Sequence, residues 1–310
     1  MSSENSSKVH YVTVSAQEAG QRVDNFIRAR YPALPKGRIY QMLRKGEVRV
    51  NKKRAKPVLR LQAGDVLRLP PIVAGKTPLV RVPAFWLERI EAARLYEDED
   101  FLVLNKPAGI AVHGGSGQDF GVIDAVKIIW GEDYAQLAHR LDFDTSGALL
   151  LGKHRRALAG FQQAMQADAV IKVYDCLLKG SWDKASQEVV LRMKKEGERV
   201  VVAEDGKFAR TFFTLQKWLE YEGCALSWVK ARLDTGRTHQ IRVSVAAQGA
   251  PLAGDDKYGD WAFNRWLKSL GYHEMFLHSC ELAFDYEGKR IAVYAPLPES
   301  AMALLARLGA

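Results

Sequence analysis

The chain has 310 residues, 47% of them apolar and 26% charged, enough for a sizeable core in roughly one to three domains. It has no uncharged apolar run near the ~18 residues of a membrane span and no hydrophobic signal core at its polar start. Three widely spaced cysteines, Cys176, Cys224 and Cys280, suit reduced core thiols of a cytoplasmic protein and exclude a C-x-x-C zinc pattern. The formal charge is +9, and 14 Lys/Arg against 3 Asp/Glu between Gly20 and Arg68 give that block +11, so the remainder is slightly acidic. A concentrated basic block points to a polyanion partner.

Residues 1–17 are polar, contain a strand-like run at His10–Val14, and read as a flexible N-terminus. Val23, Phe26, Ile27 and Tyr31 fall at helical spacing, and Pro32 ends that helix. A second helix, from about Pro35 to Lys45, buries Ile39, Met42 and Leu43 and stops at Gly46. Val48–Asn51 alternates as a strand, Lys52-Lys53-Arg54 is its turn, and Gly64-Asp65 turns the chain into Val66–Leu69. Residues 18–71 thus form a small α/β module. It carries Lys36, Arg38, Arg44, Lys45, Lys52, Lys53 and Arg54 as candidate RNA-binding residues. The alternative, a solvated basic face, leaves the self-repulsion of the block without compensation.

Residues 72–85 are Pro-rich and aperiodic, an expected linker. Gly75-Lys76-Thr77 is not a P-loop, because Pro70 stands where that motif needs Gly. A second domain, 86–310, begins near Trp86. Phe101–Leu104 is a buried strand turned by Asn105-Lys106-Pro107-Ala108-Gly109, and Ala148–Gly152 is another. Leu158, Phe161, Met165 and Ala169 mark one face of an amphipathic helix. Strands follow at Lys172–Gly180, at Arg210–Thr214 within hairpins, and at Cys224–Leu233. Thr238 is placed to cap the next helix. A short helix at Phe263–Leu270, strands near Leu277–Phe284 and Lys289–Tyr294, and a helix from Pro298 to about Leu308 complete the chain. Strands outnumber helices after residue 90 and many are joined by hairpin turns, which predicts an α+β fold with a mainly antiparallel mixed sheet.

The chemistry concentrates in His139-Arg140-Leu141-Asp142-Phe143-Asp144-Thr145-Ser146-Gly147, a polar turn between apolar stretches. Taken alone, D-x-D-T-S-G is a loop whose side chains satisfy local backbone groups. With Arg140 before the first Asp and an apolar strand after the turn, a second reading opens. A carboxylate beside a cation favours its ionised form, as a nucleophile or general base requires.

His-Arg-Leu-Asp-x-x-Thr-Ser-Gly resembles the active-site signature of RluA-type pseudouridine synthases, which isomerise uridine in RNA. Lys172-Val-Tyr174 and Gly236-Arg-Thr-His-Gln-Ile-Arg-Val243 resemble two further motifs of that family. The resemblance implies Asp142 as the catalytic residue, Tyr174 as the platform that stacks on the target base, and Arg242 as the partner of Asp142. Arg140 would fill the space the base leaves or hold phosphate. Ser244 stands where the family usually has His. Asn105-Lys-Pro-Ala-Gly109 followed by Val112-His-Gly-Gly-Ser-Gly117 is similar to the RluC subgroup. Arg22–Phe26, Gly46–Asn51 and Ala63-Gly-Asp65 resemble the S4 RNA-binding module. These likenesses imply a cytoplasmic, monomeric isomerase acting on large-subunit ribosomal RNA by base flipping, with no cofactor and no metal. The alternatives are a non-catalytic RNA-binding or ribosome-assembly protein on the same fold, or a hydrolase using Asp142 with His139, which lacks a second positioned acid.

Overall fold

The computed structural model describes residues 9–16, 18–31, 34–72, 80–115 and 117–310. Residues 1–8, Pro32 and residues 73–79, the greater part of the expected linker with its Gly75-Lys76-Thr77, lie outside them. The chain divides into two compact units, Met1–Leu79 and Val80–Ala310.

The first unit runs β1 (His10–Thr13), α1 (Val23–Arg30), α2 (Lys36–Lys45), β2 (Arg49–Val50), β3 (Lys53–Arg54) and β4 (Val66–Leu69). Its strands pair antiparallel in the order β1-β4-β2-β3. Phe26 and Ile27 of α1 and Ile39, Met42 and Leu43 of α2 close over Val50, Leu67 and Leu69. Gly46, at φ 69°, ends α2 in the left-handed conformation that spares a side chain the steric penalty.

Two expectations change here. Residues 1–17 are not flexible throughout, because β1 is zipped onto β4 and Val14 is buried in the core, contacts that offset the entropy of ordering. The turn after β2 is Asn51-Lys52, at φ 48° and 68°. Two consecutive positive φ values suit a tight hairpin, so Lys53 and Arg54 pair back as β3 instead of forming the turn.

The second unit begins with α3 (Ala84–Ala92), β5 (Arg94–Glu97), β6 (Phe101–Lys106), α4 (Val122–Trp130), β7 (Gln136–Leu137), β8 (Ser146–Gly152) and α5 (Arg155–Gln166). It continues with β9 (Ile171–Lys179), β10 (Ser186–Glu196), β11 (Arg199–Val202), β12 (Lys207–Tyr221) and β13 (Cys224–Leu233). The last elements are α6 (Gln240–Ala247), α7 (Trp261–Ser269), β14 (Leu277–Tyr286), β15 (Lys289–Tyr294) and α8 (Glu299–Arg307). The expected linker ends early, since Val82 and Trp86 already pack on this unit's core.

One sheet of order β11-β10-β12-β13-β9-β14-β8-β6-β5 organises the unit, with β15 beside β14 and β7 beside β8. Among the described residues its pairings are antiparallel except β8 with β14. β8 is buried along its whole length. Leu149 and Leu151 enter one core, with Val122 and Val126 of α4 and Ile241 and Val245 of α6. Ala148 and Leu150 enter another, with Ala157 and Phe161 of α5 and Phe284 of β14. β9 does not alternate as its sequence suggests. Val173 to Leu178 are all buried, because the strand is covered on both faces.

Candidate active site

The turn that precedes β8 is held from several directions. Gly147 sits at φ +109°, and a Cβ there would lie 2.3 Å from the Ser279 carbonyl oxygen, so the parallel approach of β14 requires glycine. Ser146 Oγ lies 2.8 Å from His278 Nδ1, and His278 Nε2 lies 3.1 Å from the Ala295 carbonyl. The carbonyl can only accept, so Nε2 carries the proton and Nδ1 accepts from Ser146. Lys106, fully buried, donates from Nζ to the carbonyls of Thr145 (2.8 Å), Pro107 (2.9 Å) and Phe143 (3.1 Å). Burial pulls its pKa down to about 7, against the opposing pull of Asp144 and Asp142. The Asn-Lys-Pro-x-Gly loop thereby grips the turn from behind.

His139 belongs to this scaffold. Its Nε2 accepts from the Leu150 N–H at 2.9 Å and its ring leans on Phe161. Burial lowers its pKa to about 4. A neutral imidazole with Nε2 already occupied cannot serve as the acid of a hydrolase at neutral pH, which removes the His139–Asp142 alternative.

Asp142 is half-buried and faces a cavity of about 500 Å³, lined also by Arg140, Tyr174, His239 and Arg242. Its Oδ2 is 3.6 Å from Arg242 Nη1 and 3.7 Å from His239 Nε2. The tighter partner of Arg242 is Asp255: Nε donates to Oδ2 at 2.8 Å and Nη2 to Oδ1 at 2.7 Å. Asp255 Oδ1 also accepts from the N–H groups of Lys257 (2.8 Å) and Tyr258 (3.0 Å). Burial alone would raise the Asp255 pKa, but the Arg242 bonds and these backbone donors outweigh it and hold the carboxyl down. Arg242 thus spends the Nε/Nη2 edge of its guanidinium on a fixed support and presents Nη1 to Asp142.

His239 stands at the N-terminus of α6 in the left-handed conformation, φ 53°, and it, not Thr238, is the capping position. Its side chain makes no cap bond. Its Nδ1 is 2.8 Å from the Tyr258 hydroxyl, which accepts the Val200 N–H at 2.8 Å. The Asp142 carboxylate facing Nε2 favours the proton on that nitrogen, and the Tyr258 hydroxyl then donates to Nδ1. Burial lowers the His239 pKa, with Asp142 pulling the other way. The Tyr258 ring also lies 5.2 Å from the Arg242 guanidinium carbon. The loop before α6 is fixed by Gln240, whose Nε2 donates to Arg210 O and Thr211 Oγ1 while Oε1 accepts from Arg237 N and Thr235 Oγ1.

Tyr174, on β9, is 7% exposed, and burial raises the pKa of its hydroxyl, with Ser279 opposing. Arg140 is exposed, and its guanidinium makes no hydrogen bond or ion pair among the described residues. Ser244 is buried in α6. Asp142, Tyr174, Arg242 and Arg140 therefore share one cavity. Asp255, Tyr258, His239 and Lys106 are the members that sequence reading left in structural or unassigned roles. Their signal was present, in Gly254-Asp-Asp-Lys-Tyr-Gly259 and Asn105-Lys106-Pro107, but not what they touch.

In the first unit the seven basic candidates separate. Arg44 and Lys45 end α2, and Arg54 Nη2 reaches the Lys45 carbonyl at 3.4 Å, which brings the Lys52–Arg54 hairpin to the same place. Lys36 is at the other end of α2, beside a cleft of about 200 Å³ with Arg22, Arg28 and Tyr40. Arg38 is engaged by Glu47 at 3.6 Å and Gln41 at 2.8 Å.

The profile described as RNA pseudouridylate synthase matches residues 100–247, and that of the S4 domain matches residues 21–67. The ribosomal large subunit pseudouridine synthase C of Yersinia pestis is 43% identical, over 94% of this chain and 93% of its own length. That of Pasteurella multocida is 42% identical, over 97% and 94%. Among solved structures, human RNA pseudouridylate synthase domain containing 4 shares the fold at a TM-score of 0.60 and 22% identity, covering 73% of this chain and 96% of that one. With an S4 domain ahead of its catalytic unit, the chain belongs to the RNA pseudouridylate synthase family.

Proposed function

We propose that the protein converts uridines of large-subunit ribosomal RNA to pseudouridine, with Asp142 as its catalytic residue. The reaction breaks the N1–C1′ glycosidic bond, turns the base and forms C5–C1′, with the C5 hydrogen lost to solvent and N1 regaining one. It is redox-neutral, so the reading calls for no redox cofactor; that the protein works as a monomer in the cytoplasm is part of the same proposal.

The observation that carries the reading is a half-buried carboxylate, Asp142, set 3.6 Å from Arg242 in a cavity of about 500 Å³ that Tyr174 also lines. That volume suits a single extruded nucleotide, and a base inside a helix cannot be reached without extrusion. In this proposal Tyr174 stacks on the base, Asp142 acts as nucleophile or as base at the sugar, and Arg242 and His239 orient it. Arg140, unpaired at the cavity, takes the vacated stack or a phosphate. The basic residues Lys36, Arg38, Arg44, Lys45, Lys52, Lys53 and Arg54 hold RNA from the S4-containing unit, Met1–Leu79, and the unit Val80–Ala310 is the catalytic domain. Asp142→Asn keeps shape and RNA affinity but abolishes tritium release from RNA labelled at uridine C5. Wild-type rates in that variant would refute the assignment.

A further inference from the structure

The outer face of the hairpin region beside the cavity carries a row of aromatic and basic side chains that the reaction does not use. On β12, Phe208, Arg210 and Phe212 share this face, and Phe208 is 43% exposed. The register sets Arg192 of β10 opposite Phe208 and Arg232 of β13 opposite Phe212, with Lys230 two residues along. The Arg232 guanidinium carbon lies 4.4 Å from the Phe212 ring centre, while Arg210 lies 5.7 Å from the same ring and 6.0 Å from that of Phe208. Arg210 is neutralised by Asp234, at 2.7 Å, with Glu188 at 3.8 Å. Arg192, Lys230 and Arg232 form no ion pair with a carboxylate among the described residues.

The register puts this row on the sheet face opposite that of Tyr174, whose partner on β13 is Ala231, so it meets the cavity only around the strand ends. Arg237 lines the cavity and donates from Nε to the Phe208 carbonyl at 3.0 Å. Cross-strand packing accounts for Phe212 beneath Arg232. It does not account for an open phenyl ring at Phe208 beside Arg192 and Arg232: Lys230 faces Asp175 across the strands and Arg210 holds Asp234 and Glu188, which leaves these two arginines for an external anion. Alternating π faces and free cations along a strip are the means by which proteins hold single-stranded nucleic acid without reading its sequence.

We propose that this face of β10, β12 and β13 binds the single-stranded RNA flanking the uridine held in the cavity. Bases stack on Phe208 and on the outer side of the Arg232 guanidinium, and phosphates meet Arg192 and Arg232. The proposal rests on the isomerase reading for the identity of the ligand, and its test separates the two.

The full chain is titrated, by fluorescence anisotropy, with a labelled uridine-containing RNA hairpin carrying a single-stranded tail and with the same hairpin lacking it. Phe208→Ala binds the tailed RNA between about five- and hundredfold more weakly, the range of one lost base stack, and binds the tailless RNA as wild type does. Arg192→Ala/Arg232→Ala makes the salt dependence on the tailed RNA shallower by about 1.4 in log K against log salt, two single-strand phosphate contacts. Equal losses on both RNAs, or no loss on either, overturn the docking surface. Tritium release by the wild type reports on the isomerase reading independently of these ratios.

Discussion

At the scale of the residue, the site depends less on Asp142 itself than on what fixes its two neighbours. Tyr258 touches both, through its hydroxyl to His239 and its ring to Arg242. Tyr258→Phe keeps the ring and deletes the hydroxyl, so His239 is free to move its proton to Nδ1. A fall of about five- to tenfold in kcat is expected, one hydrogen bond's worth, with RNA affinity unchanged and the histidine tautomer altered in nitrogen NMR. An unchanged tautomer would show that Tyr258 does not set it. Asp255→Ala strands the buried Arg242 and should lower stability by about 3–5 kcal/mol, read from urea midpoints. The folded Asp255 pKa lies below its ordinary 3.8. Its contribution is therefore whole above that value and is lost as pH falls through the lower folded one, so the deficit of the variant should shrink in strong acid.

Elements that bury one clear face were legible in the sequence, and those that do not were missed. The stripe of Ile39, Met42 and Leu43 and the run Cys224–Leu233 mark α2 and β13 closely. Helix α4, Val-Ile-Asp-Ala-Val-Lys-Ile-Ile-Trp, is apolar nearly all round, so its period does not stand out, and α3 buries only Ile90 completely. Asp142 and Arg242 stand in long motifs and Tyr174 in the short Lys172-Val-Tyr174, so the sequence could single out all three, and the fold sets them round one cavity. That Arg242 is clamped by Asp255 was not legible, since the two are joined by a loop whose path no local pattern dictates. β8 carries this scale's prediction. Gly147→Ala brings a Cβ onto the Ser279 backbone at positive φ, and should cost about 3 kcal/mol or more. An unchanged urea midpoint would mean that β8 and β14 can separate without penalty.

For the whole molecule, a compact unit with its own core precedes the catalytic unit, so affinity and chemistry should be separable. Removing residues 1–79 is expected to leave tritium release from a small RNA hairpin in place while weakening binding. The salt slope should become shallower by up to about 4.5, the share of five duplex-phosphate contacts from Arg44, Lys45, Lys52, Lys53 and Arg54. A slope equal to that of the full chain would remove the first unit from the RNA. The parallel pairing of β8 with β14 has a temporal consequence. Ser146 and His278 are 132 positions apart, so in a chain still emerging during synthesis the turn, though already gripped by Lys106 and β6, lacks its β14 side until that strand arrives. Contacts of such long range close late. The isomerase would therefore become competent only once β14 has been translated, and a nascent copy lacking it would leave RNA unmodified.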